Sequence, residues 1–256
     1  MSHASLTLVE DREIKVRSLT YYDETQELIG KIFYPPTPKD TYSAIIVYPA
    51  FEGLSDFALD YAHDLCLQGY IVLAADIYGN AQSASTIPDC FELIGPFLQD
   101  RALVRRRAQS AFQALQLEPL VNKDNIGAIG FCFGGQCMLE LARSGASLKA
   151  GVSAHGILTA SRLQTYPIKS HLLILHGFAD PQVPINDILS FTDEVTVANC
   201  PDWQIIMMSH AQHSFTDPKT GTFDPDLERS MGRVYNHQAA MRVKKYAMDF
   251  FKEQLV

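Results

Sequence analysis

The chain has 256 residues, 47% of them hydrophobic and 20% charged. That is the balance of a folded globular protein, long enough to bury roughly three quarters of its unfolded surface without disulfides or metals. Its 21 Lys and Arg stand against 29 Asp and Glu, a formal charge of −8, which argues against nucleic acid or an anionic membrane as partner, since both are bound by a positive field. The five cysteines, Cys66, Cys90, Cys132, Cys137 and Cys200, are odd in number and scattered, which suits reduced thiols in a cytoplasm better than a disulfide framework. Residues 1–16 place Glu10, Asp11, Arg12 and Glu13 where an export signal needs an apolar stretch, and the apolar runs fall far short of the ~18 residues of a membrane span. A cytoplasmic protein with no membrane partner is expected.

No internal repeat, low-complexity tract or linker interrupts the sequence, which reads as a single domain over 1–256. Two β-like runs at 14–21 and 27–34 lead into a turn at Pro35, Pro36 and Pro38. An apolar run of strand length follows at 44–48, with counterparts at 70–75, 125–129, 148–152, 172–175 and 204–208. Runs apolar throughout, rather than alternating, suit a parallel sheet covered on both faces. Among the helical patterns, 55–68 starts at a Ser55 cap, spaces Phe57, Tyr61 and Leu65 four apart and stops at Gly69. Further helices are predicted over 133–143, 185–198 and 229–251, and Arg101, Arg105, Arg106 and Arg107 fall in another helical stretch, read as a solvated face. The segment 80–95 fits neither period and is expected to loop over one edge of the sheet. Strands alternating with helices predict an α/β fold, a mostly parallel central sheet with helices on both faces.

In such sheets ligands bind beyond the carboxyl ends of the strands, and three of those ends carry reactive groups. Gly130-Phe131-Cys132-Phe133-Gly134-Gly135 has the form Gly-x-Cys-x-Gly, the cysteine version of a nucleophile elbow. Its glycines allow a strand to turn abruptly into a helix, whose positive N-terminus favours a thiolate. Asp180 follows the run at 172–175, where an acid could orient a histidine, and His210 and His213 compete as bases after 204–208. Each feature alone has an ordinary reading: a buried Cys in a tight turn, an Asp in a Pro-flanked loop, an exposed loop histidine. Together, the order nucleophile, acid, histidine is that of α/β-hydrolases. The loop Tyr48-Pro49-Ala50-Phe51-Glu52-Gly53 then faces the nucleophile, and the oxyanion hole is expected from the backbone N–H groups of Phe133 and Gly53.

The sequence at this point resembles the dienelactone hydrolase family, on the Cys elbow, Glu52-Gly53, Asp76-Ile77-Tyr78, Gly177-Phe178-Ala179-Asp180 and His213-Ser214-Phe215. The resemblance implies Cys132 as nucleophile, His213 as base, Asp180 as its orienter, and Glu52 as a carboxylate bonded to the resting thiol. It also implies a substrate-facing place for His155 and for Asn80. Family members acting on dienelactone carry arginines where this chain has Asn80 and Asp217, so no charge argument favours an anionic lactone. The expected activity is cleavage of a small ester, lactone or thioester through a Cys-His-Asp triad and an acyl-enzyme, with no metal or organic cofactor. The alternatives are a non-catalytic binding or regulatory protein on a hydrolase scaffold and a redox role for Cys132 with Cys137. The spacing of that pair is not Cys-x-x-Cys.

Overall fold

A computed structural model describes residues 13–255; most of the N-terminal stretch read above for export signals lies outside the described residues. In chain order the elements are β1 (Lys15–Asp23), β2 (Gln26–Tyr34), β3 (Tyr42–Tyr48), α1 (Asp56–Leu67), β4 (Ile71–Ala74), α2 (Ile87–Gln99) and α3 (Arg101–Gln116), followed by β5 (Val121–Phe131), α4 (Phe133–Arg143), β6 (Ala150–Ala154), β7 (His171–Gly177), α5 (Ile185–Val197), β8 (Asp202–Met208), α6 (Pro225–Ser230) and α7 (His237–Gln254). The eight strands form one sheet in the order β1-β2-β4-β3-β5-β6-β7-β8. The β1–β2 and β2–β4 pairs are antiparallel, and every pair from β4 to β8 is parallel.

The expected α/β architecture is therefore present, and β3 shows why its strand was apolar throughout. Ala44, Ile46 and Tyr48 point into the core on one face, with α2, α3, α4 and α5, whereas Ile45 and Val47 point into the core on the other, with α1 and α7. Side chains alternate faces along a strand, so a strand covered on both sides has no polar position to give. Among the described residues no helix is long and apolar enough to cross a membrane.

Three expectations are corrected. The segment 80–95 is a loop only in its first part, because α2 begins at Ile87. Thr86 caps it by accepting from the Asp89 N–H, Pro88 occupies the first turn, and Ile87, Cys90, Ile94 and Phe97 are buried at helical spacing. Gly95 and Pro96 mask that period in the sequence, yet tertiary burial outweighs their low propensity. The predicted helix over 229–251 is two helices: α6 ends at Ser230, Gly232 adopts φ 75°, and α7 restarts behind an Asn236 cap. Finally, the α3 arginines are not a solvated face. Arg101 and Arg105 pair with the fully buried Glu140, Arg106 pairs with Asp23, and Arg107 is itself buried 3.0 Å from the same Asp23.

Candidate active site

The site lies at the carboxyl edge of the central parallel strands. Between the last residue of β5 and the first of α4, Cys132 is held at φ 51° and ψ −115°, a left-handed conformation costly for a residue with a Cβ. The turn has no room for side chains at its flanks: a Cβ on Gly130 would strike the Gly134 backbone, and one on Gly134 the Tyr48 carbonyl. The Cys132 N–H is shared between the Ala154 carbonyl and His155 Nδ1, each at 3.1 Å.

The loop after β8 brings His213 onto the elbow. Its Nε2 is 3.0 Å from Cys132 Sγ and its Nδ1 is 2.8 Å from Asp180 Oδ2, in the turn that follows β7. The backbone is clamped as firmly as the ring, since His213 N–H donates to the Gly232 carbonyl and its own carbonyl accepts from Val234. Burial alone would keep the ring neutral, but the adjacent Cys132 sulfur and the Asp180 carboxylate outweigh it and raise the imidazole to about 10. His210 points away, exposed on the preceding turn. The choice between the two histidines is thus made by which one the β8 loop turns inward.

Four expected positions are placed differently. Glu52, expected on the thiol, is held by Arg233, whose Nη2 is 2.6 Å from its Oε1. Gly53 does not offer an oxyanion donor, because its N–H donates to the Ala50 carbonyl and closes a turn. Phe133, as the first residue of α4, does keep an N–H with no acceptor inside the helix. His155 does not line the cleft; it is buried behind the elbow, with its ring 5.5 Å from that of His213 and its Nε2 2.7 Å from Thr216 Oγ1. Asn80 is exposed at φ 54° with its N–H on the Glu27 carbonyl, well away from the thiol's surroundings, because the tight turn after Asp76 folds back on β2. Asp217 lines a separate hollow with Glu52 and Lys219.

Arg233 is the residue that sequence reasoning missed. It lies in the break between α6 and α7, buried, with Nε 3.1 Å from Glu228 Oε1, Nη1 3.0 Å from Ser214 Oγ and its guanidinium 4.4 Å over the Phe51 ring. Only Gly232, one residue before it, hinted that a continuous helix would fail there. Cys137, the candidate redox partner, is fully buried on the inner face of α4, and burial pushes its thiol upward. A cleft of about 220 Å³ opens over the thiol, lined by Phe51, Phe91, Ile94, Leu98, Phe133, Gln136, Ile157, Gln182 and Met231 beside Cys132, His213 and Arg233. A larger hollow of about 370 Å³ between α1 and α7 holds none of these reactive groups.

The open parallel sheet, with an elbow residue at the end of β5 and an acid and a histidine beyond two later strands, is the architecture of an α/β-hydrolase. The model of the dienelactone hydrolase family matches residues 30–255, and the chain belongs to that family. A Caenorhabditis elegans protein of uncharacterized function is 33% identical over 155 residues, 59% of this chain and 93% of the relative. The human carboxymethylenebutenolidase homolog is 23% identical over 196 residues, 76% of this chain and 79% of its own. Among solved structures, a dienelactone hydrolase-like promiscuous phosphotriesterase from metagenomic libraries superposes with a TM-score of 0.85 at 33% identity, covering 95% of this chain and 99% of that one. Family membership makes this protein an ester or lactone hydrolase rather than a non-catalytic scaffold.

Proposed function

We propose that Cys132 is the nucleophile of this hydrolase, that His213 carries protons and Asp180 orients it, and that the reaction passes through a thioester acyl-enzyme. The observation that carries the reading is one ring with two short contacts, 3.0 Å to the thiol and 2.8 Å to a buried carboxylate. His213 Nε2, 3.0 Å from Sγ, is placed to take the thiol proton. The sulfur then attacks as thiolate.

Sγ bonds to the ester carbonyl carbon, and the π pair moves onto oxygen. The Phe133 N–H receives that oxyanion at the positive end of α4. Since Gly53 is engaged, Phe51 in the same turn is the second donor we assign. Collapse of the intermediate breaks the C–O bond, and His213 gives its Nε2 proton to the departing alkoxide; from a lactone this alkoxide stays tethered to the acyl group. Water then loses a proton to His213 and attacks the thioester, and C–S cleavage returns the thiolate with release of the acid. Thiolate is a better leaving group than an amine, so amide substrates would revert, and small esters or lactones are the substrates that fit.

The test is cleavage of 4-nitrophenyl acetate by wild type, Cys132→Ala and His213→Ala. Losses of about 10³-fold or more in kcat/KM for both variants are expected. Unchanged rates in Cys132→Ala would place the chemistry elsewhere.

A further inference from the structure

Apart from the reacting thiol and imidazole, the cleft lining contains one charged side chain, Arg233, and each of its three nitrogens is already engaged within the protein. Nη2 serves Glu52, Nε serves Glu228, Nη1 serves Ser214, and the guanidinium face lies on Phe51. Behind the cleft lining two buried carboxylates share this one cation, so the charge of Arg233 is more than balanced from within. The positions where family members on dienelactone carry arginine do not supply another, since Asn80 is exposed and Asp217 is an acid behind Glu52. The opposite wall is apolar. Phe91, Ile94 and Leu98 recur three and four apart along α2 and face Phe133 and Ile157 across the opening. Phe91 is 46% and Leu98 63% exposed, a large apolar surface for about two turns of helix to leave uncovered.

We infer that the cleft selects uncharged esters or lactones with an apolar acyl chain, which α2 receives, and turns away substrates that carry a carboxylate. This rests on the assignment of Cys132 above. An entering carboxylate would lose its hydration against Ile94 and Phe133 and meet only Arg233, whose charge Glu52 and Glu228 already balance from behind. An alkyl chain would instead cover the same side chains and release the water over them.

The test compares 4-nitrophenyl hexanoate with the mono-4-nitrophenyl ester of adipic acid, a chain of matching length that ends in carboxylate. Wild type should favour the hexanoate by about 100-fold or more in kcat/KM. Leu98→Lys, at an exposed position that does not burden folding, should slow the hexanoate, speed the adipate ester and narrow the ratio about tenfold. Equal rates for the two esters in wild type would overturn the inference while leaving a Cys132 hydrolase intact. A ratio unmoved by Leu98→Lys would remove α2 as the receiving wall and overturn it also. Cys132→Ala is run beside both: loss of hexanoate cleavage places the measurement in this cleft, and retention would overturn the nucleophile assignment and this inference with it.

Discussion

His155 has a proton whose place is fixed by its neighbours. Nδ1 accepts the Cys132 N–H, so the hydrogen sits on Nε2 and is donated to Thr216 Oγ1. Burial, and then the nearby His213, hold its titration well below the ordinary histidine value. The folded state keeps this ring neutral while the unfolded chain protonates it below about pH 6.5. Unfolded protein therefore binds more protons, and the stability contributed by neutral His155 is complete above that pH and falls as the solution is acidified. His155→Asn keeps an acceptor for the Cys132 N–H and tolerates the φ of 40° at this position. Urea midpoints at pH 7 and pH 5 should show a smaller loss on acidification for the variant than for wild type. Equal losses would mean that the ring is charged in the folded protein.

The helix that walls the cleft is a marginal element with one clear anchor at its start. α2 contains Gly95 and Pro96, and Thr86 at its cap accepts from the Asp89 N–H at 3.3 Å. Four buried side chains on one face, Ile87, Cys90, Ile94 and Phe97, hold the rest of it down. Thr86→Ala removes the cap and should cost about 1 kcal/mol in denaturant unfolding. Because Phe91, Ile94 and Leu98 ride on the same helix, KM for an apolar ester should rise several-fold with kcat little changed. A fall in kcat with KM constant would show that α2 positions the reacting groups instead. The elbow is the contrasting element: Gly130 and Gly134 are enclosed by backbone on their side-chain sides, so its geometry does not depend on any single cap.

On the scale of the whole molecule, Arg233 joins parts of the chain that are far apart in sequence. Its partners Glu52, Ser214 and Glu228 come from the loop after β3, the loop after β8 and α6. Replacement by Met would leave Glu52 and Glu228 buried without a cation, at a cost of about 3–5 kcal/mol near neutral pH. The sign of its pH dependence follows from burial, which already pushes the Glu52 carboxyl upward against the pull of Arg233. Without the guanidinium the folded state would bind protons more readily than the unfolded chain, so stability would fall as pH rises through the carboxylate range. Thermal melts of Arg233→Met and wild type should therefore converge at acid pH and separate toward neutrality. A gap that is constant with pH would mean the loss is one of packing alone.

Local chemistry was enough to read the alternation of strands and helices, the elbow and the order Cys132, Asp180, His213, because each rests on neighbours in sequence. A strand apolar on both faces, a turn with no room for Cβ and a reactive residue just past a strand end all leave marks within a few positions. The helix over Ile87–Gln99 escaped because its breakers are local whereas its support is tertiary burial. The α3 arginines were misread for the same reason, since Glu140 and Asp23 lie far from them in sequence. What only the folded structure decided is where charges meet: Glu52 goes to Arg233 instead of the thiol, the Gly53 N–H goes to Ala50, and His155 goes behind the elbow instead of into the cleft. A hydrogen bond or ion pair depends on distances of a few ångströms between distant segments, and periodicity along the chain carries no record of them.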